Sequence, residues 1–340
     1  MSSPISVKWL NSMLRTVRDV GLGPTLTTRL LYLGSTILCY SVRLPTNSVK
    51  VEEPELKRLE SGVLSQSQVD TVTHYGFKYL YGKLGYPFSL PDPELRSHRS
   101  REAIDNIKAF VDRRDGDGWR AAYIDANESQ YYLNGPRSTN YIDVDTDPNA
   151  PQDLSFISNP DKWTPLKHGD KIQKYLTPEW GKVVPLVHIQ KFIDIYNANF
   201  NPNRDQDIKE ILDVYENMTD YHRVVAEYFQ GGKVTPPGIW NVWGIYAGEA
   251  LRFSERRFAD FLYALNRSLF TASIVAWHAK LAKTQARPIQ LIRMLTPERQ
   301  VTTWDGTRVS NKVWNPFQQS NFRTPPFPDF VSGHSTFRCV

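Results

Sequence analysis

The sequence predicts a mainly α protein in which an irregular middle section separates two blocks of helices. Three observations carry that prediction. Apolar residues return at helical spacing through the first third of the chain. Residues 115–185 then abandon that spacing for Asp, Asn, Pro, Gly and aromatic residues. Helical periodicity resumes over residues 185–295. In order along the chain, residues 25–42 mix Leu, Ile and Tyr with small residues and read as a buried helix. Residues 69–86 carry Val72, Tyr75, Phe77, Leu80 and Leu84 and stop at Gly85-Tyr86-Pro87. Residues 99–114 place Ile104, Ile107, Phe110 and Val111 on one face. In the excursion, Asp115-Gly116-Asp117-Gly118-Trp119 and Asn134-Gly135-Pro136 dictate short turns and little regular structure. Helices are then expected over 185–198, 205–229, 238–250 and 257–295, the last with an internal break or as two helices. Gly231-Gly232 and Pro236-Pro237 read as a loop before Trp240. With no repeat, low-complexity tract or clean linker, the expectation is a single α-helical domain spanning 1–340, with 115–185 as a loop-rich excursion within it.

Composition narrows the function. With 340 residues, 40% of them apolar, the chain can bury a large core. The net charge of +5 arises from 41 scattered Lys and Arg, with no basic block, so nucleic acid is not an expected partner. Cys39 and Cys339 are too few for a disulfide framework or a thiolate metal site. The most apolar run, 30–42, is too short for a membrane span and contains Ser35, Thr36 and Ser41. No secretory leader is evident at the N-terminus, which points to the cytoplasm by default. Asn127-Glu128-Ser129, Asn217-Met218-Thr219 and Asn266-Arg267-Ser268 match glycosylation sequons without a secretory context.

Chemistry concentrates near the C-terminus. Lys280 and Arg287 stand seven residues apart, close to two helical turns, so both cations are expected to share one helix face. Lys280 offers a point charge and Arg287 a planar fork that can grip two oxygens. Two such cations repel each other unless an anion or carboxylate lies between them; a solvated basic face is the plain alternative. Pro288 would end or kink the helix at this point. Farther on, Thr324-Pro325-Pro326-Phe327-Pro328-Asp329-Phe330 forces an extended approach to Val331-Ser332-Gly333-His334. Ser332 is a good N-cap, Gly333 permits close approach of backbone to a ligand, and the amides of Gly333 and His334 would open a helix N-terminus. His334 could transfer protons near neutral pH. Alone, Ser-Gly-His is an ordinary turn; the two motifs in this order point to an oxyanion cradle.

These residues resemble the vanadium-dependent haloperoxidases, which share a helical-bundle fold with type 2 phosphatidic acid phosphatases and related acid phosphatases. That superfamily carries Lys-x6-Arg-Pro, complete here from Lys280 to Pro288, then Pro-Ser-Gly-His, matched here with Val331 for proline. Its third motif, Ser-Arg-x5-His-x3-Asp, is not within a sequence that ends six residues after His334. The segments 161–166, 176–181, 236–241 and 276–280 look like the haloperoxidase branch. The resemblance implies a haloperoxidase/acid-phosphatase-like fold with its last helices missing, and vanadate as cofactor. It implies that Lys280, Arg287, Ser332 and Gly333 hold the vanadate oxygens and that His334 is the acid/base. The axial histidine ligand is expected beyond residue 340. Hydrogen peroxide, a halide and an organic acceptor would be the small-molecule substrates. Two rivals stand beside this reading: phosphomonoester hydrolysis on the same cradle, and a truncated, non-catalytic fragment. A homo-oligomer is left open.

Two weaker signals complete the picture. Asp143, Asp145 and Asp147 alternate as in calcium loops, but Pro148 stands where glycine is required and Leu154 where glutamate should be. A turn-rich acidic loop is the readier account. His278 lies two residues before Lys280, which on a helix turns it to another face, toward packing or the surface.

Overall fold

The computed structural model describes residues 4–46, 51–60, 63–123, 129–230, 232–318 and 324–338. It is mostly helical and divides into two compact units. The first comprises Met1–Arg120, Gly231–Ser273 and Phe337–Val340, and the second Ala121–Gln230 and Ile274–Thr336.

The first unit is built on α1 (Ile5–Val20), α2 (Pro24–Arg43), α3 (Gln66–Leu84), α4 (His98–Asp115), α8 (Thr235–Ala250) and the start of α9 (Glu255–Lys283). Nearly every residue of α2 is buried, as a helix apolar or small all round must be. Some of its hydroxyls are satisfied within the helix: Thr28 donates to the Thr25 carbonyl at 2.6 Å and Thr36 to that of Tyr32 at 2.7 Å. Ser65 caps α3 in a reciprocal capping box with Gln68, and Gly85 ends it at φ 73°. A buried ion pair, Arg29–Asp117 at 2.7 Å, ties α2 to the residues after α4. Pro236 and Pro237 start α8 rather than forming the loop their sequence suggests, because proline suits a first turn whose amides lack partners anyway. Asn266 is fully buried and exchanges two amide hydrogen bonds of 2.8 Å with Asn241, so that sequon is spent on packing. Asn217 ends a helix at the surface, and Asn127 lies outside the described residues.

The second unit holds the excursion. Short turns dominate it, with β1 (Ile142–Asp143) parallel to β2 (Leu166–His168) and β2 antiparallel to β3 (Lys171–Ile172). Three further helices follow: α5 (Gln190–Asn199), α6 (Arg204–Glu216) and α7 (Asp220–Phe229). The unbroken helix expected over 205–229 is two, because Asn217 ends α6 and Thr219 caps α7. After the end of α9 come α10 (Pro288–Arg293), the hairpin β4 (Gln300–Thr302) and β5 (Arg308–Ser310), and α11 (Gly333–Arg338). The core packs Ile142, Ile157, Leu166, Ile208, Ile289, Ile292 and Trp314 together.

The structure lends the acidic loop no support as a calcium site. Asp143 pairs with Lys167 at 3.0 Å, Asp145 accepts from the Gly169 amide at 2.7 Å, and Asp147 accepts from the Asn149 amide at 2.8 Å. Internal donors thus occupy the carboxylates, and no group of three or more His, Cys, Asp or Glu able to hold a metal occurs among the described residues. No helix among them is long and apolar enough to cross a membrane.

Candidate oxyanion site

Lys280 and Arg287 do not share a helix face. The helix α9 ends at Lys283, and Thr284 turns into the left-handed region at φ 51°. The next residues are captured by the excursion: the Trp163 amide donates to Thr284 at 2.8 Å, the Ala286 amide to Asp161 at 2.8 Å, and the Lys162 ammonium to the Lys283 carbonyl at 2.9 Å. Arg287 is therefore extended, at φ −84° and ψ 155°, and Pro288 begins α10. The residue before a proline avoids the helical region, and proline is at home in the first helical turn. That local rule was legible at Arg287-Pro288 and outweighs the seven-residue arithmetic.

The two cations converge by another route. The 324–330 segment runs past both of them. Lys280, fully buried at 1% exposure, donates to the carbonyls of Pro328 at 2.9 Å and Asp329 at 2.8 Å. Arg287 donates through Nε to the Phe327 carbonyl at 2.8 Å and through Nη1 to Asp329 Oδ1 at 3.4 Å. The Phe327 ring centroid lies 4.9 Å from each charge, within cation–π range of both. Asp329, unassigned by the motifs, is the carboxylate that eases their repulsion; its place in the Pro-rich approach was the one sequence signal for it.

Electrostatics records the convergence. Burial pushes the Lys280 ammonium well below its ordinary pKa, the Arg287 charge adds to the fall, and Asp329 opposes it. Burial likewise lowers Arg287, against Asp329. For His334, desolvation is the main cause of a lowered pKa, although the residue is exposed. Backbone hydrogen bonding at Gln230 and Phe229 resists that fall, while the charges of Arg287 and Lys280 deepen it. Both cations thus act on the histidine.

Three residues beyond Asp329, Ser332 lies within about 11 Å of it along the chain. Ser332 Oγ accepts from the Ser335 amide at 3.3 Å and Thr336 bonds back to the Ser332 carbonyl, so Ser332 caps α11. Gly333 and His334 are the first residues of that helix, where backbone amides lack intrahelical acceptors. Lys280 and Arg287 are thus tethered to the segment that leads along the chain into Ser332, Gly333 and His334.

The excursion forms the frame. Gln290 fastens it to α10, donating to the carbonyls of Pro160 and Lys162, each at 2.8 Å. Farther along, Leu176 donates to Pro326 at 2.9 Å, and the Trp277 indole donates to Leu176 at 3.0 Å. A Cβ on Gly181 would fall 2.5 Å from the His278 backbone, so only glycine lets this segment meet α9 two residues before Lys280. The His278 ring is spent on the Tyr196 hydroxyl, 2.6 Å from Nδ1. Among the groups sequence reasoning missed, Tyr175 is buried near Arg287, and each bears on the other's ionisation.

Comparison with known proteins agrees with this architecture. Residues 260–339 match the family model described as the VCPO second helical-bundle domain. That span contains Lys280, Arg287, Ser332, Gly333 and His334. The matched domain model is one of the vanadium haloperoxidases, and the fold of the chain is haloperoxidase-like. Its fold is similar to that of an apo-type bacterial vanadium-dependent chloroperoxidase, with TM-score 0.59 and 16% identity over 93% of this chain and 76% of that one. The holo-type bacterial chloroperoxidase gives TM-score 0.55 and 18% identity over 93% and 74%. A bacterial vanadium-dependent iodoperoxidase gives TM-score 0.58 and 16% identity over 99% and 80%. No curated protein matches the sequence at a significant level.

Proposed function

We propose that Lys280, Arg287, Ser332, Gly333 and His334 hold vanadate and that the protein serves halide oxidation by hydrogen peroxide. The observation that carries this reading is the tethering of both cations to the 327–329 backbone, the segment that leads directly into Ser332-Gly333-His334. The residues fit a tetrahedral oxyanion in kind. A buried cation, Lys280, and a largely covered one, Arg287, face one carboxylate, leaving excess positive charge that a bound anion would neutralise. Arg287 has donors beyond those given to Phe327 and Asp329, since a guanidinium carries five. The Ser332 hydroxyl, which accepts from the Ser335 amide, retains its own proton to donate. His334, held toward its neutral form, can accept a proton near neutral pH and pass it on. Bound vanadate would supply the Lewis-acid centre that activates the peroxide toward a halide.

The superfamily motif that holds the axial histidine is not within residues 1–340, so oxyanion binding is tested separately from turnover. Calorimetric titration with orthovanadate and with inorganic phosphate should show binding that Arg287→Ala abolishes. Bromination of a phenolic dye with peroxide then reports the oxidation step. Failure of the wild-type protein to bind either anion refutes the cradle. Vanadate-inhibited release of phosphate from an aryl ester, with no bromination, would replace the haloperoxidase reading by the phosphatase one.

A further inference from the structure

Tyr175 is 3% exposed, and its hydroxyl has no hydrogen-bond partner among the described residues. Its surroundings leave it little choice of position. Its backbone amide donates to the Tyr132 hydroxyl at 3.2 Å. Its ring centroid lies 5.2 Å from that of Trp163 and 6.1 Å, edge-on, from that of Tyr131. The chain on either side is fastened to the cradle segment: Gln173 donates to the Thr324 carbonyl at 2.5 Å, and the Leu176 amide to Pro326 at 2.9 Å. The next residue of that segment, Phe327, is the acceptor for Arg287.

The nearby acid that could satisfy the phenol is already engaged. Glu179 accepts from the Tyr131 hydroxyl at 2.5 Å and pairs with Lys182. A buried hydroxyl left without a partner is destabilising, and a phenylalanine would avoid that penalty. A hydroxyl retained in this position calls for an acceptor that comes with a ligand. Burial and Glu179 hold the phenol in its protonated form, and the Arg287 charge opposes them; the bonds at Gln173 and Leu176 fix the backbone around Tyr175 against the segment that also binds Arg287.

We propose that the Tyr175 hydroxyl is a further anion-binding donor, giving a hydrogen bond to the oxyanion held at Arg287. This rests on the cradle reading and adds a residue from the excursion, outside the two motifs. A hydrogen bond to a charged acceptor is worth enough to shift affinity about ten-fold or more.

The test compares wild-type protein, Tyr175→Phe and Tyr131→Phe by calorimetric titration with orthovanadate and with inorganic phosphate. Tyr175→Phe should bind both anions about ten-fold more weakly while its ligand-free melting temperature stays equal or rises, since it removes an unpaired hydroxyl. Tyr131→Phe, whose hydroxyl serves Glu179, should keep wild-type affinity. In the wild-type protein, saturation with phosphate should also give the ultraviolet difference signal of a phenol gaining an acceptor, which stands even if Tyr175→Phe does not fold. Equal affinities for wild type and Tyr175→Phe overturn the proposal and leave the cradle intact. Absence of the phenol signal at saturation does the same. A wild-type protein that binds neither anion sinks the cradle and this inference together.

Discussion

Replacing Lys280 by methionine isolates what a buried cation does in this fold. Lys280 is 1% exposed and supplies donors to two carbonyls, those of Pro328 and Asp329. Methionine keeps most of the volume but leaves both carbonyls unpaired, at about 1–3 kcal/mol each. It also relieves the desolvation of the ammonium, which amounts to several kcal/mol per ion. The two terms oppose each other, so stability at one pH does not separate them. The pH dependence does. Burial sets the folded-state pKa of Lys280 well below 10.5, whereas the unfolded chain returns the group to water and its ordinary value. Between those two pKa values the unfolded state binds the extra proton, so raising the pH stabilises the folded state. The rise approaches about 1.4 kcal/mol per pH unit in the middle of the window and ends at the unfolded value. Below the folded pKa the full penalty of a buried charge is present. Urea unfolding of wild type and Lys280→Met at a series of pH values from neutral to about 10.5 should therefore diverge, with wild type gaining on the variant as pH rises. Parallel profiles would show that Lys280 is not desolvated in the folded protein and would refute the reasoning.

Further outcomes follow from the same geometry. Asp329→Asn removes the carboxylate that competes for Arg287 and should raise phosphate affinity several-fold in calorimetry; a fall would mean that the carboxylate organises the cations rather than competing for them. Gly181→Ala forces a Cβ to within 2.5 Å of the His278 backbone and should destabilise by about 1–3 kcal/mol in urea, with unchanged stability showing that the segment yields. Ser332→Ala removes the cap on α11 and should lower stability by about 1 kcal/mol while weakening vanadate binding; an unaltered binding isotherm would remove Ser332 from the donor set. The His334 ring should titrate below its ordinary value of 6.5 when followed by NMR, and Arg287→Gln should move it back up by removing a positive neighbour.

The sequence by itself determined the helical class, the loop-rich character of the excursion, and the residue types of the two C-terminal motifs. Each rests on local information: apolar spacing for the helices, turn residues between 115 and 185, and two short motifs whose side chains have few other shared uses. Where local rules competed, tertiary structure chose. The seven-residue interval from Lys280 to Arg287 favoured one helix face, and the pre-proline rule favoured a break. The break prevails because residues 161–163 supply partners for the chain at 284–286. The positions of Asp329 and Tyr175 were likewise set by tertiary structure, since Asp329 meets Arg287, and the chain around Tyr175 meets residues 324–326, only when distant segments pack together. Asp143, Asp145 and Asp147 make the complementary case. Their spacing admitted a cation, but folding brought lysine and amide donors to them first, and a satisfied carboxylate has little left to offer a metal.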